Sequence, residues 1–152
     1  MAKPTLWLRE ETRSTERRAP LLPDGARQLI DVGFDVVVEK SHKRIAADTR
    51  YADAGCTLAE PGAWLNAPKD AVILGLKELP ETPNMLIHRH IYFAHAYKQQ
   101  SGWQALLSRF MRGGGSLLDI EYMKDQNGKR VAAFGYWAGR APTLYQRWPD
   151  TV

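Results

Sequence analysis

Ala71-Val-Ile-Leu-Gly-Leu76, followed at once by Lys77-Glu78, is the stretch that decides the fold. The run is continuously apolar rather than alternating, and it is too short for a typical helix. That pattern suits a strand buried on both faces, which is the condition inside a parallel sheet covered by helices on both sides. Ile91–Ala94 is a second run of this kind. Upstream, Thr5–Leu8, the valine-rich Phe34–Val38 and the short Cys56–Leu58 read as further strands, and Ser116–Ile120 as one more downstream.

Helical patterns fall between these runs. Pro23-Asp24-Gly25 opens a segment with Ala26, Leu29 and Ile30 on one face, which stops at Gly33. Asp48 is a candidate N-cap for a short helix through Tyr51 and Ala54, ended by Gly55. Trp103, Leu106, Leu107, Phe110 and Met111 keep helical spacing, and Gly113-Gly114-Gly115 reads as the cap and turn that end that helix. Asn127-Gly128, between Glu121–Met123 and Arg130–Phe134, is a hairpin signal. Strands alternating with helices predict an α/β layered domain with a mostly parallel central sheet and a C-terminal hairpin.

The chain of 152 residues has the length of one domain, short for an enzyme holding both a cofactor and a substrate. It is 44% hydrophobic and 25% charged, which excludes disorder, collagen and coiled coil for the chain as a whole. No apolar run approaches the roughly 20 residues of a membrane span. The net charge of +4 comes from scattered residues with no Lys/Arg run, so nucleic-acid binding is not expected. Cys56 stands alone and reads as a small buried hydrophobe in a reducing compartment. The N-terminal residues lack an apolar signal region, and a cytoplasmic location is expected.

Ligands of parallel sheets gather at the carboxyl ends of the strands. The first strand runs into Arg9-Glu10-Glu11-Thr12-Arg13 and Glu16-Arg17-Arg18. The fourth ends at Lys77-Glu78, and the fifth at His95 with Lys98, Gln99 and Gln100 behind it. Arginine suits a bidentate grip on carboxylates, while lysine and histidine suit proton transfer. Spacing alone leaves each open between this chemistry and a blander role: a solvated turn for Lys77 and Glu78, a structural ring for His95, a solvated loop for Arg13–Arg18. His88-X-His90 places two rings on one strand face, yet no Cys partner or His-Glu-X-X-His pattern completes a site, so no metal is expected. No Gly-X-Gly-X-X-Gly follows a strand and opens a helix, so a dinucleotide fingerprint is missing.

Leu6-Trp-Leu-Arg-Glu-Glu-Thr12, Glu16-Arg17-Arg18, Val38-Glu-Lys-Ser41, Ile73-Leu-Gly-Leu-Lys-Glu-Leu-Pro80, His90-Ile-Tyr-Phe-Ala-His-Ala-Tyr-Lys98 and Arg130-Val-Ala-Ala-Phe-Gly135 occur in one order. Together they resemble the start of the NAD-dependent, lysine-forming saccharopine dehydrogenases, relatives of alanine dehydrogenase and of the transhydrogenase N-terminal domain. The resemblance implies a Rossmann-like, three-layer substrate domain over residues 1–139. Residues 140–152 form an atypical tail where the family's NAD-binding domain would begin. It implies the reaction of saccharopine, NAD and water to lysine, 2-oxoglutarate and NADH, with NAD as cofactor of the full-length family enzyme and not bound tightly by this chain. An isolated domain of this kind is expected to be inactive by itself. The alternative is a non-catalytic module, derived from that domain, that binds an amino acid, a dicarboxylate or a partner protein.

By the same resemblance, Lys77 and His95 are the acid–base pair, facing one cleft. Arg18, Lys77, Gln100, Phe134 and Arg130 line the substrate site. Glu16, Glu78 and Glu121 tune the protonation of the pair. Lys129 and Arg130 match a family Arg-Arg pair near substrate or cofactor, Lys129 keeping the charge without the bidentate fork. Departures are Ala96, where the family often has Cys, and Arg13, where it often has Lys. An apolar patch including Tyr136 and Trp137, left by the missing domain, would favour self-association.

Overall fold

The computed structural model describes residues 2–96 and 100–130. Six strands form one sheet: β1 (Thr5–Leu8), β2 (Asp35–Glu39), β3 (Thr57–Ala59), β4 (Val72–Leu74), β5 (Arg89–Tyr92) and β6 (Ser116–Asp119). Their order is β3-β2-β1-β4-β5-β6, and every neighbouring pair is parallel. This is the doubly wound order, whose direction reverses between β1 and β4. The carboxyl ends of those two strands therefore flank the crevice where such sheets place ligands.

The register explains the two layers that cover the sheet. Leu8 stands beside Val38 on one side and Leu74 on the other, and Leu74 beside Ile91. This row faces α1 (Pro23–Asp31) and α2 (Asp48–Asp53), and packs with Ala26, Tyr51 and Ala54. The alternate row, Trp7, Ile73 and Tyr92, meets Trp64 from a 3₁₀ turn and Phe110 from α3 (Trp103–Gly113). Side chains of a strand alternate between faces, so one apolar run supplies both cores. The domain is a three-layer α/β fold.

The sequence boundaries shift in places. β5 starts at Arg89, before the apolar run, because Arg89 points to solvent while His90 is fully buried. Asp48 is the first residue of α2 rather than its cap; its carboxylate accepts the Ser41 N–H at 3.0 Å. The C-terminal hairpin is reduced. Lys124 and Arg130 make an isolated antiparallel bridge around a turn at Asn127-Gly128, as the turn signal implied. Its expected first arm does not extend as a strand: Ile120–Tyr122 is a 3₁₀ turn, because the Asp119 carboxylate accepts the Glu121 N–H at 3.1 Å and bends the chain. The second arm beyond Arg130, Phe134, the Tyr136-Trp137 patch and the 140–152 tail lie outside the described residues.

Only Gly114 of the triple glycine is a left-handed cap, with φ of 75°. Gly113 and Gly115 serve close approach instead, since a side chain on either would strike the backbone of Leu86.

Candidate active site

Lys77 and His95 leave neighbouring strands at the same edge. The ladder between β4 and β5 continues past the strands through Gly75 N–H to Ile91 O at 2.9 Å and Phe93 N–H to Leu76 O at 3.2 Å. Lys77 follows that ladder on one side and His95 on the other. Two groups of charged side chains stand around them.

The first surrounds Lys77. Arg18 grips Glu16 in a fork, Nε to Oε1 and Nη2 to Oε2, each at 2.8 Å. That hydrogen bond holds the Glu16 carboxyl below its ordinary range, and the Lys77 charge adds to the effect. The Arg18 pKa is raised by the same bond. Glu78, whose carboxyl also feels the Lys77 charge, pairs with Arg13, while the Thr12 hydroxyl donates to its carbonyl at 3.2 Å. Burial is the largest single influence and lifts the Glu78 carboxyl, but the hydrogen bond and charge of Arg13, a backbone hydrogen bond and the Lys77 charge together outweigh it, and the net shift is downward.

The second group surrounds His95. Its Nδ1 lies 3.1 Å from Glu121 Oε2, and Arg130 Nη2 reaches Glu121 Oε1 at 3.2 Å. Arg130 Nε also donates to the Glu121 carbonyl at 3.1 Å. The His95 ring stacks on Phe93, and its backbone is left-handed, with φ of 54°. A non-glycine residue in that conformation costs on the order of 1 kcal/mol and marks a position the surroundings over-determine.

A shallow cleft opens beside the first group, lined by Arg9, Glu11, Glu16, Arg18, Lys43 and Arg44 among others. Lys43 donates to the Glu11 carbonyl at 2.5 Å, and Arg44 to the Glu39 carbonyl at 2.9 Å.

Of the residues expected at the site, the structure gathers Glu16, Arg18 and Lys77 in one group and His95, Glu121 and Arg130 in the other. Gln100 is exposed, and its carbonyl accepts the Trp103 N–H at the start of α3. The Lys129 N–H serves the turn, donating to Asp125 Oδ1 at 2.9 Å. Phe134 is outside the described residues.

Sequence reasoning placed Arg9 and Glu11 only in the polar stretch after the first strand, with no role of their own, and did not select Glu39 or Lys43. Glu39 ends β2 and Lys43 follows it, so position at a strand's carboxyl end is the one signal that points to them. His88 and His90 do share a strand face, but in the core: their rings sit 6.2 Å apart beside Trp64. His88 Nε2 meets the Ala67 carbonyl at 3.0 Å, and burial pushes the His90 imidazole down to about 3. Among the described residues, no group of three His, Cys, Asp or Glu side chains is placed to hold a metal. Cys56 is buried, which pushes its thiol up and away from reactivity. No helix of the described residues is long and apolar enough to cross a membrane.

The loop Arg9–Leu22, between β1 and α1, is where a dinucleotide-binding domain carries its glycine cradle. Here it carries Glu10, Glu11 and Glu16, with α1 opening on Pro23. The loop contains no glycine, so its backbone cannot approach a pyrophosphate closely and these residues do not fit the cofactor.

The family model for the alanine dehydrogenase/PNT N-terminal domain matches residues 7–141. The chain is 54% identical over 136 residues to a saccharopine dehydrogenase (NAD(+), L-lysine-forming) of Yarrowia lipolytica, covering 90% of this chain and 37% of that protein. It is 51% identical over 142 residues to the protein of the same name from Schizosaccharomyces pombe, covering 93% and 39%. A mitochondrial alpha-aminoadipic semialdehyde synthase of Rattus norvegicus is 35% identical over 140 residues, covering 91% and 15%. The chain thus spans well under half the length of these relatives. In fold it is similar to an L-alanine dehydrogenase, with a TM-score of 0.67, 19% identity and 84% of this chain and 35% of that one covered. A transhydrogenase from Sinorhizobium meliloti gives a TM-score of 0.62 at 22% identity, with 78% and 35% covered.

Proposed function

The chain belongs to the alanine dehydrogenase/PNT N-terminal domain family, and from that membership we propose that it is the substrate-binding, acid–base domain of a lysine-forming saccharopine dehydrogenase. NAD would be the cofactor of the full-length enzyme, supplying the hydride acceptor from a separate domain. The loop after β1 gives no reason to route the hydride step through this chain.

What this chain's residues would do is bind substrate and move protons. Lys77 takes the proton of the substrate secondary amine. His95 serves water addition and the collapse to lysine and 2-oxoglutarate. Arg18 and Arg130 approach substrate carboxylates from the two groups, with Gln100 and Phe134 as further lining. Glu16, Glu78 and Glu121 set the local charge, and Lys129 stands beside Arg130 on the cofactor side. The observation that carries this reading is the exit of Lys77 and His95 from adjacent strands at one edge, each beside its own arginine–carboxylate pair.

Calorimetry with saccharopine on the wild type and on Arg18→Ala tests the proposal. We expect binding to the wild type and a loss of tenfold or more in the variant, since a charge-assisted fork contributes about 1.5–3 kcal/mol. Absence of binding by saccharopine, lysine and 2-oxoglutarate would overturn it. A second reading is a ligand-binding module without turnover, favoured by the glycine-free loop after β1. An NADH-linked assay with lysine and 2-oxoglutarate addresses it: turnover by this chain alone would defeat both that reading and the need for a separate cofactor domain.

A further inference from the structure

The peptide of Lys77 is gripped from both sides by side chains of the segment after β1. Its N–H donates to Glu11 Oε1 at 2.6 Å, and the preceding Leu76 N–H donates to the same carboxylate at 3.1 Å. The Lys77 carbonyl accepts from Arg9 Nη2. Arg9 and Glu11 pair with each other at 3.5 Å, and their side chains are 1% and 6% exposed. The Arg9 guanidinium also lies over the Tyr92 ring, 5.5 Å from its centroid.

Arg9 can occupy this place only because residue 75 is glycine. A Cβ there would fall inside contact distance of its Cζ, Nε and Nη2. Gly75 thus belongs with the pair: it opens the space through which Arg9 reaches the Lys77 carbonyl. Burying two charges carries a large desolvation cost, offset only by their mutual attraction and by the hydrogen bonds they make. Those bonds converge on the two peptides that set where the Lys77 side chain leaves the sheet. A strand end that needed only solvation would not require them.

We propose that Arg9 and Glu11 are positioning residues for Lys77, holding its backbone so that its amine meets the substrate. The proposal rests on the reading of Lys77 as the substrate-side base. Although both border the cleft, their side chains are almost wholly buried against the Lys77 peptide, and they act through the lysine.

Glu11→Asp is the test, because it keeps the charge and shortens the arm by one methylene. Amide hydrogen exchange at Lys77 should accelerate about tenfold or more, while Leu8 and Val38 keep wild-type rates. Saccharopine affinity should fall about tenfold, a modest displacement being enough for that. The same substitution in a Lys77→Ala background should cause no further loss, since the residue it positions is gone. An equal loss in both backgrounds would overturn the proposal in favour of a general structural role, and unchanged Lys77 exchange would overturn it directly. Should Glu11→Asp not fold, Arg9→Lys goes through the same measurements and probes the carbonyl side. A wild type with no affinity for saccharopine defeats the functional reading instead, and the exchange rates then judge the positioning alone.

Discussion

Glu121 holds His95 by one ring nitrogen: its Oε2 lies 3.1 Å from Nδ1. A carboxylate only accepts hydrogen bonds, so Nδ1 carries the proton and the lone pair of the neutral ring is on Nε2. Arg130 holds the other oxygen of the same carboxylate, which fixes the ring's orientation as well as its tautomer. Glu121→Gln removes this bias, because an amide offers a donor and an acceptor to either nitrogen. We expect the ¹⁵N spectrum of His95 to report the Nδ1-protonated tautomer in the wild type and a mixture in the variant. An unchanged tautomer would mean that some other group sets it.

Glu39 is nearly fully buried at the end of β2, and four N–H groups point at its carboxylate. They are Trp7 Nε1 at 3.1 Å, Glu10 N at 2.8 Å, Gly62 N at 3.1 Å and Trp64 N at 2.8 Å. The residue ties the turn after β3 to the turn after β1. Glu39→Gln sets an NH₂ against donors and removes the charge that strengthens them, so it should cost about 2–4 kcal/mol in urea denaturation. A loss below about 0.5 kcal/mol would indicate that the donors find other acceptors.

These two carboxylates mark the division between what the chain's sequence reveals and what it conceals. The strands at Thr5–Leu8 and around Ile73 are legible because burial on both faces demands unbroken apolar runs. That Lys77 and His95 share an edge is legible too, since in a parallel sheet residues that follow strands gather there. The positions of Glu11 and Glu39 are not. In sequence they look like solvated charges at strand ends. Most of their partners are backbone N–H groups tens of residues away, and a backbone N–H has no signature in sequence. The hairpin arm at Glu121–Met123 misleads for a similar reason: one side-chain hydrogen bond from Glu121 N–H to Asp119 turns the chain.

The three glycines after α3 should differ in their tolerance of a methyl group. Gly114 has φ of 75° with open space around it, so Gly114→Ala costs only the left-handed strain, about 1–2 kcal/mol. Gly113 and Gly115 abut the Leu86 backbone, and Gly115 donates to the Leu86 carbonyl at 2.9 Å. Backbone cannot step aside as a side-chain tip can. Gly113→Ala and Gly115→Ala should therefore lose about 3 kcal/mol or more by overpacking. Thermal denaturation of the three variants gives the ranking, and a Gly114→Ala protein less stable than the other two would contradict it.

His90 makes stability depend on pH. Its imidazole is buried between Trp64 and Phe110, and burial lowers its pKa from 6.5 to about 3. Between those values the unfolded chain binds a proton that the folded chain does not, so stability falls as pH drops below about 6.5. The slope due to one such group approaches about 1.4 kcal/mol per pH unit. Glu16, with its pKa lowered from 4.5, gives stability that is present above about pH 4.5 and is lost only below it. The interval between pH 4.5 and 6.5 therefore isolates the histidine from that carboxylate. Urea midpoints taken across it should decline steeply with acid in the wild type. In His90→Leu, which has no proton to gain, the decline should be shallower by up to one proton's worth. Parallel slopes in the two proteins would show that His90 takes up its proton in the folded state as readily as in the unfolded one.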